Sequence, residues 1–243
     1  MPFTLSHPVA ILAFPRNRYF HFPALVLGSM SPDFIYFLSG KPTSGGHTLF
    51  ASEWLNLPLC LLFYAIYQGL LRKPLLAFMP SAWASDVPQP TAKNPLLWLL
   101  IFTYSAWIGM ASHIALDAFT HKTGYFVAQF PLLQQVYFLP IFKWLQYAGG
   151  VFGLLAIVIY QHKMAQRFPY RSAKTARQKC NFWLGNGILT AILFALWQGL
   201  QPLPLAHYAT HIIRFIDLFV ISLLCHSLVF WWAETHNDKK FKE

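Results

Sequence analysis

Five long apolar runs alternate with short polar connectors along this chain. Each run approaches the length of about 20 residues that a helix needs to cross a bilayer. Four of the runs contain no charged residue, and the fifth contains only Asp217. The pattern therefore predicts an all-α polytopic membrane protein with about five transmembrane helices, at residues 54–71, 95–116, 144–161, 182–206 and 215–233.

The composition supports a membrane protein and argues against a nucleic-acid partner. Hydrophobic residues make up 56% of the chain and charged residues only 11%, whereas soluble domains carry about 25% charged residues. The net charge is +10, but six of the eighteen cations fall in one connector, 162–181, between two apolar runs. A nucleic-acid-binding protein needs its cations clustered on a polar surface instead.

The distribution of cations predicts the orientation of the spans. Connectors 72–94 and 162–181, together with the tail after residue 234, hold 12 of the 18 lysines and arginines. Connectors 117–143 and 201–211 hold two and none. Because cytoplasmic loops carry an excess of Lys and Arg, we predict that connector 162–181 and the C-terminal tail face the cytoplasm.

We predict a single integral membrane domain over residues 1–243. Residues 54–233 form its transmembrane bundle, and residues 234–243 form a basic cytoplasmic tail. The N-terminal region 1–53 contains an apolar segment, 20–38, that is interrupted by His21, Pro32 and Asp33. We therefore expect this region to lie at the outer membrane interface as short helical segments.

The second apolar run ends in SHIALDAFTHKTG, in which His113, Asp117 and His121 are spaced four residues apart. Residues at this spacing lie about 6 Å apart along a helix and about 40° apart around it. His113 and Asp117 can therefore bind one metal ion from a single helix face. His121 lies about 12 Å along the axis from His113, which assigns it to a second metal or to the last helical turn. Gly124 is expected to end the helix.

Three residues outside this motif are candidate partners for it. His47 lies just before the first predicted span, and the first two spans run antiparallel, so His47 and the His113–Asp117 pair share one membrane face. Asp33 precedes His47 by fourteen residues, and His7 lies further upstream. Ionisable groups near a bilayer are costly and mark functional sites. We predict that the metal ligands are His7, Asp33, His47, His113, Asp117 and His121.

Each of these residues also has a structural interpretation. Asp33 follows Ser31-Pro32, which is typical of a helix start where an acidic residue is favourable. His47 follows two glycines and is compatible with an ordinary loop. His113 and Asp117 together form a pair that stabilises a helix as it emerges into water.

Four motifs of the chain resemble an uncharacterised prokaryotic membrane protein family, the domain of unknown function 4184. They are MPFTLSHP at the start, GSMSPDF at 28–34, GHTLF at 46–50, and SHIALDAFTHKTG at 112–124. The likeness extends over most of the chain. It implies an integral protein of the prokaryotic plasma (inner) membrane but supplies no activity.

The order His, Asp, His, HxxxD is also similar to that of the zinc-dependent phospholipase C and P1 nuclease superfamily, and of membrane-bound metal-dependent hydrolases grouped near it. In these all-helical enzymes, zinc ions activate a water that attacks a phosphoester. The resemblance implies that Asp33, His47, His113 and Asp117 hold one ion, and that Asp117 bridges to a second ion helped by His7. A later His and HxxxE pair has no match here, so one or two Zn²⁺ ions are expected.

The favoured hypothesis is a metal-dependent hydrolase acting on a phosphoester such as a lipid or lipid-linked phosphate. Asp117 and Asp33 are its predicted catalytic carboxylates, and membrane lipids are its predicted partners. The alternative is a non-enzymatic membrane protein. It is either an ion- or proton-linked transporter, for which Asp217 and His226 are the deeper candidates, or a structural subunit.

Overall fold

The computed structural model describes residues 4–89 and 92–240, except for the side chains of Leu49 and of residues 237–240. Its α-helices are α1 Phe22–Met30, α2 Phe34–Ser39, α3 Leu49–Ala51, α4 Leu57–Ile66, α5 Arg72–Phe78, α6 Pro95–Thr120, α7 Tyr125–Gln129, α8 Pro131–Gln134, α9 Ile141–Arg167, α10 Ala176–Leu200 and α11 Tyr208–Lys240. Short 3₁₀ helices occupy Thr4–Ile11, Ser31–Asp33 and Leu205–His207, and π-helical turns occupy Ser52–Asn56 and Tyr67–Leu71. Strands β1 Val136–Tyr137 and β2 Leu139–Pro140 form one small antiparallel pair.

The described residues include five helical runs that are long and apolar enough to cross a membrane. This finding confirms the predicted all-α fold with about five spans. The outward faces of these runs carry exposed apolar side chains, for example Leu100, Phe152 and Leu196, as expected of surfaces that meet lipid. The runs are Ser52–Phe78, Pro95–Gln129, Ile141–Arg167, Ala176–Leu200 and Leu205–His236.

The helix ends differ from the predicted spans where proline or capping residues act. The fourth span was predicted to reach residue 206, but α10 ends at Leu200. Pro202 and Pro204 follow directly, and proline disfavours the helical conformation in the residue before it. At its other end, α10 begins with a capping box. The Thr175 hydroxyl accepts from the backbone N–H of Gln178, and the Gln178 side-chain oxygen accepts from the backbone N–H of Thr175.

The described residues group into two compact units. The first unit combines those of Met1–Ile35, Ser44–Tyr64 and Val87–Lys163, and it contains all six predicted metal ligands. The second unit combines those of Tyr36–Thr43, Ala65–Asp86 and Met164–Glu243.

In the first unit, α1 packs along α6 at backbone contact distance. A Cβ atom added to Gly28 would lie 2.1 Å from the carbonyl oxygen of Ala106, and one added to Gly109 would lie 2.4 Å from the carbonyl oxygen of Leu25. Both glycines are therefore required by the close approach. The contact buries Ala24 and Leu25 of α1. The helix α1 therefore lies lengthwise against α6, which is itself long enough to cross a membrane.

The segment 4–33 folds back on itself within the first unit. The Thr4 hydroxyl donates a hydrogen bond to the Asp33 carboxylate, which joins the two ends of the segment 4–33. At the end of this folded segment that lies opposite the Thr4–Asp33 bond, the His21 backbone N–H donates to Ser105 Oγ at 3.0 Å. The Arg16 guanidinium lies over the Phe22 ring at 3.6 Å. Ser105 precedes His113 by eight residues, so this end lies about 12 Å along α6 from that ligand.

The second unit packs α10 against α11 and α5. Phe78 stacks on Phe182 with a centroid distance of 4.3 Å. The Trp183 indole N–H donates to the carbonyl oxygen of Phe78 at 3.0 Å. Deeper between α10 and α11, the Ser222 hydroxyl donates to the carbonyl oxygen of Asn186 at 3.0 Å. Aromatic stacking and side-chain bonds to helix carbonyls therefore hold this unit together, as is typical of membrane helix packing.

We expect Gly109→Ala to destabilise the protein by about 1–3 kcal/mol, because the new methyl group overpacks the contact with α1. Thermal unfolding in detergent, monitored by circular dichroism, measures the effect. Gly149→Ala in α9 is the matched control, since nothing lies within 4 Å of its added Cβ. That control is expected to be neutral or stabilising by up to about 1 kcal/mol through helix propensity. Equal effects of the two substitutions would contradict the close packing of α1 on α6.

Candidate metal centre

The helix α6 supplies His113 and Asp117 on one face. His113 is fully buried, and its Nδ1 lies 2.8 Å from the carbonyl oxygen of Ser29. Because a carbonyl oxygen can only accept, Nδ1 carries the proton and the Nε2 lone pair is directed into the cluster. Metal-binding histidines are typically oriented in this way by a backbone carbonyl. The packing of α1 on α6 therefore sets the tautomer of His113.

Asp33 lies in the 3₁₀ turn that follows α1, and its side chain lies beside that of His113. The Thr4 hydroxyl donates to its Oδ2, which leaves Oδ1 directed at the histidines. Asp33 Oδ1 lies 3.5 Å from His47 Nε2 and 3.8 Å from His113 Nε2. One oxygen of the Asp33 carboxylate is thus anchored, and the other is available to bind a metal ion.

His47 is positioned by a tight glycine loop. A Cβ on Gly46 would lie 2.0 Å from the carbonyl oxygen of Pro32, so only glycine allows this loop to approach the Asp33 turn. The preceding Gly45 adopts φ 117°, in the region that favours glycine. The Asn56 side chain donates to the carbonyl oxygen of Gly46 at 2.8 Å and fixes the loop.

Three ligand atoms form a triangle with edges that suit one zinc ion. His47 Nε2 lies 3.2 Å from His113 Nε2 and 3.3 Å from Asp117 Oδ2. The third edge, from His113 Nε2 to Asp117 Oδ2, is 3.4 Å. Tetrahedral ligands with zinc bonds of 2.0–2.1 Å lie about 3.3 Å from one another. These three atoms, with Asp33 Oδ1 beside them, could therefore hold one ion.

A second group of donors surrounds the other oxygen of Asp117. His121 Nδ1 lies 3.2 Å from Asp117 Oδ1, and His7 Nε2 lies 3.8 Å from the same oxygen. The His7 ring stacks on His113 with a centroid distance of 3.8 Å and an interplanar angle of 13°. Asp117 thus faces histidines with each of its carboxylate oxygens, an arrangement in which it could bridge two metal positions.

His7 is buried with both ring nitrogens lacking a hydrogen-bond partner among the described residues. Burial, reinforced by the neighbouring His113, lowers the pKa of His7 from 6.5 to about 3. The ring is therefore neutral at physiological pH, and its Nε2 lies 3.8 Å from Asp117 Oδ1. Burial likewise raises the pKa of Asp33, against the lowering effect of His113 and the Thr4 hydrogen bond.

Among the residues that the structure describes, the carboxylates of this centre have no Lys or Arg as an ion-pair partner. Among the described residues, Asp33 and Asp117 form ion pairs with histidines only, and neither lysine nor arginine contributes to them. A buried carboxylate is costly unless its charge is compensated. Four imidazoles and two carboxylates with no Lys or Arg nearby are a donor set that a divalent cation would neutralise.

The structure brings all six predicted ligands together in the first unit. His121 differs from the expectation in one respect, because α6 ends at Thr120 and the extended backbone of His121 turns its ring back to Asp117. The prediction that Gly124 ends the helix is wrong. Gly124 instead caps α7, and its added Cβ would lie 2.5 Å from the carbonyl oxygen of Ala118.

Sequence reasoning missed the two groups that orient the ligands. The Thr4 hydroxyl and the Ser29 carbonyl each bond to one predicted ligand. Thr4 has no signature beyond its place three residues before His7. A backbone carbonyl has no side-chain signature at all. The packing of α1 on α6 did leave a signal, since Ala24 and Gly28, like Ser105 and Gly109, follow the small-xxx-small spacing of close helix contacts.

The fold and the cluster define a polytopic helical membrane protein with a histidine–aspartate centre at the end of its second long helix. Residues 1–238 match the family described as Domain of unknown function (DUF4184), and the chain belongs to that family. No curated protein and no solved structure matches the chain.

We expect Thr4→Val to destabilise the protein by about 1.5–3 kcal/mol, the range for losing a hydrogen bond to a charged group. Thermal unfolding in detergent measures the change. Thr120→Val is the control, because its exposed hydroxyl donates to the carbonyl oxygen of Leu116 at 3.0 Å and lies 3.5 Å from His121 Nδ1, so the substitution removes no bond to a carboxylate. If Thr4→Val costs no more than this control, the hydroxyl does not support Asp33.

Proposed function

We propose that this protein is a membrane-embedded, zinc-dependent hydrolase that acts on a phosphoester. The observation that carries the proposal is the convergence of His47, His113 and Asp117, whose donor atoms lie 3.2 to 3.4 Å apart. The ligand order also resembles that of the zinc-dependent phospholipase C and P1 nuclease superfamily. One or two Zn²⁺ ions are the proposed cofactors.

The donor set suits zinc by its chemistry as well as its spacing. Imidazole nitrogen and carboxylate oxygen are common zinc ligands, and a catalytic zinc keeps one coordination position open. In the first position, His47, His113 and Asp117 would hold the ion, and Asp33 would either complete its coordination or leave the fourth position to water. In the second, Asp117 would share its other oxygen with His7 and His121.

A bound zinc ion would lower the pKa of a coordinated water toward about 7 and polarise a phosphoryl oxygen. The protein's own residues supply orientation and proton handling. The Thr4 hydroxyl and Ser29 carbonyl hold Asp33 and His113 in fixed orientations. Asp33 would accept a proton from the attacking water when it leaves the fourth coordination position to that water, and Asp117 would serve both metal positions as their shared ligand.

The exposed side of the centre provides access for a substrate. His7, His113 and Asp33 are buried, whereas His47 and His121 each keep 31% of their side chains exposed and Asp117 keeps 14%. Water and a phosphoester would therefore approach from the side of His47 and His121. The buried histidines form the opposite wall, where water is excluded and electrostatic interactions are stronger.

We place the protein in the plasma membrane of a prokaryote, with connector 162–181 and the C-terminal tail in the cytoplasm. The cation counts of the connectors support this orientation. Arg16 supports it as well, since its guanidinium donates to the Tyr160 hydroxyl, near the end of α9 that leads into connector 162–181. The centre would then face the outer side, where membrane lipids and lipid-linked phosphates are the available substrates.

One observation favours the alternative of a proton- or ion-linked transporter. Asp217 lies within the fifth long helix, and its Oδ2 is buried without a hydrogen-bond partner among the described residues. The nearby Arg214 instead donates to the carbonyl oxygen and side chain of Gln201. An acidic group at this depth in a membrane helix is a candidate for proton or ion binding.

Metal analysis of gently purified protein tests the proposal. We expect about one to two zinc ions per chain and hydrolysis of a soluble phosphodiester that is lost on chelation and restored by Zn²⁺. Asp117→Asn should lower zinc affinity at least about ten-fold and abolish hydrolysis, because both metal positions lose the charge of their shared ligand.

Asp217→Asn is the matched control, since it also removes one carboxylate from a long helix but leaves the centre intact. It should retain zinc and hydrolysis. Wild-type protein without a bound transition metal would contradict the proposal. Proton or metal uptake into vesicles that is lost in Asp217→Asn, with no hydrolysis by wild type, would favour the transporter instead.

A further inference from the structure

The connector between α6 and α9 presents an unusually apolar outer surface. We call residues 125–140 the aromatic platform. It consists of α7, α8 and the β1–β2 hairpin. Tyr125 is 67% exposed, Tyr137 is 64% exposed, and Phe138 at the hairpin tip is fully exposed. Large apolar side chains grouped in this way on a connector mark an interaction surface.

Phe138 combines full exposure with an uncommon backbone conformation. Its φ is 59°, and it is the non-glycine residue with positive φ among those described. A bulky residue is rare in the left-handed region and persists there when the surrounding structure fixes it. The tip therefore holds a phenyl ring away from the protein, where water is an unfavourable environment for it.

The platform is an ordered structure. The Gln134 side chain donates to the carbonyl oxygen of Val127 at 2.9 Å, which joins α8 to α7. The Trp144 indole N–H donates to the carbonyl oxygen of Tyr137 at 3.0 Å, which ties the hairpin to α9. These bonds hold the hairpin in a fixed position relative to the long helix that follows.

The platform begins at the candidate metal centre. Phe126 of α7 stacks on Phe119 of α6 with a centroid distance of 4.1 Å. A Cβ on Gly124 would lie 2.8 Å from the carbonyl oxygen of Asp117, so α7 starts in direct contact with the turn that carries this ligand. The exposed apolar surface and the open side of the centre thus belong to the same end of α6.

The charges around the platform fit a membrane surface. No acidic residue occurs between Asp117 and Asp217, and Lys122 and Lys143 flank the platform on its two sides. The helix that follows it, α9, exposes further apolar side chains, including Val151 and Phe152, and is long and apolar enough to cross the bilayer. Aromatic rings bordered by lysines are typical of the interface between lipid tails and head groups.

We propose that the aromatic platform inserts Phe138 and its neighbours into the leaflet beside the centre, and that the phosphoester substrate is carried by a lipid of that leaflet. The second clause rests on the proposed hydrolase function, whereas the insertion does not. The platform would hold the centre level with the lipid head groups, so that a phosphate reaches Asp117 without leaving the membrane interface.

Collision measurements with a spin label test the insertion without any activity assay. The label is attached to Phe138→Cys, and separately to Tyr137→Cys, in a chain whose three native cysteines are replaced. Labelled protein is placed in nanodiscs of zwitterionic and anionic phospholipid. Both labels should collide with dissolved oxygen and be shielded from a water-soluble nickel chelate.

A label at Ser81→Cys, in the exposed connector after α5, is the reference for a site in water. If the labels at positions 137 and 138 are as accessible to the nickel chelate as this reference, the insertion is overturned. Use of two adjacent positions keeps the test valid if one substitution prevents folding.

The substrate class is tested by comparing a phosphodiester lipid in vesicles with a soluble phosphodiester. Phe138→Asp should lower the ratio of the lipid-borne rate to the soluble rate by about ten-fold, because a charge opposes insertion at the interface. Phe138→Leu keeps an apolar side chain and should keep the ratio within about two-fold of wild type.

An equal loss on both substrates in Phe138→Asp would overturn the lipid assignment. Faster cleavage of the soluble substrate than of the lipid by wild type would overturn it as well. If zinc-loaded wild type cleaves neither substrate, the proposed hydrolase function fails. The collision measurement then still decides whether the platform enters the membrane.

Discussion

The backbone contact between α1 and α6 is the constraint on which the centre depends. Gly28 and Gly109 allow the two helices to approach until carbonyl groups replace side chains at the interface. This approach brings the Ser29 carbonyl to His113 and carries the turn with Asp33 to the histidines. Without this approach, the ligands of the N-terminal region and those of α6 would be separated by at least a side-chain layer.

The electrostatics of the centre follow from that geometry. Two carboxylates and four imidazoles share a pocket that lacks lysine and arginine among the described residues. The fold therefore groups hydrogen-bond acceptors and negative charge there without a permanent positive charge to balance them. Two of the ligands nevertheless have one atom anchored by the protein and one directed inward, namely Asp33, which is bonded to Thr4, and His113, which is bonded to Ser29. Such orientation before binding is the usual way in which a protein raises affinity for an ion.

The fold was largely predictable because membrane spans have a strong sequence signal. Runs of about 20 apolar residues identified all five long helices, and the antiparallel order of the first two correctly grouped His47 with His113 and Asp117. The spacing within SHIALDAFTHKTG predicted the shared helix face. The position of His121 was only partly predictable, since the end of α6 at Thr120 lets the chain turn back to Asp117.

Other features depend on tertiary contacts that leave little trace in one sequence. Segment 20–38 contains proline, histidine and aspartate, which suggested an interfacial position, but its pattern did not predict that α1 buries Ala24 and Leu25 against α6. The gain from that packing outweighs the polar interruptions, which fall at its ends, where His21 caps α1 by accepting from the Ala24 backbone. The left-handed backbone conformation of Phe138 was likewise not predictable from the sequence, because nothing in QQVYFLP requires that conformation.

The segment 4–33 also has a consequence for biogenesis. His7 and Asp33 leave the ribosome before His113 and Asp117, which are synthesised about 80 to 110 residues later. Membrane insertion of α6 must therefore precede docking of the N-terminal segment, and its Arg16 contact with Tyr160 requires α9 as well. The segment 4–33 therefore reaches its final place only after α6 and α9 have been made, so the centre is completed well after the synthesis of its first ligands.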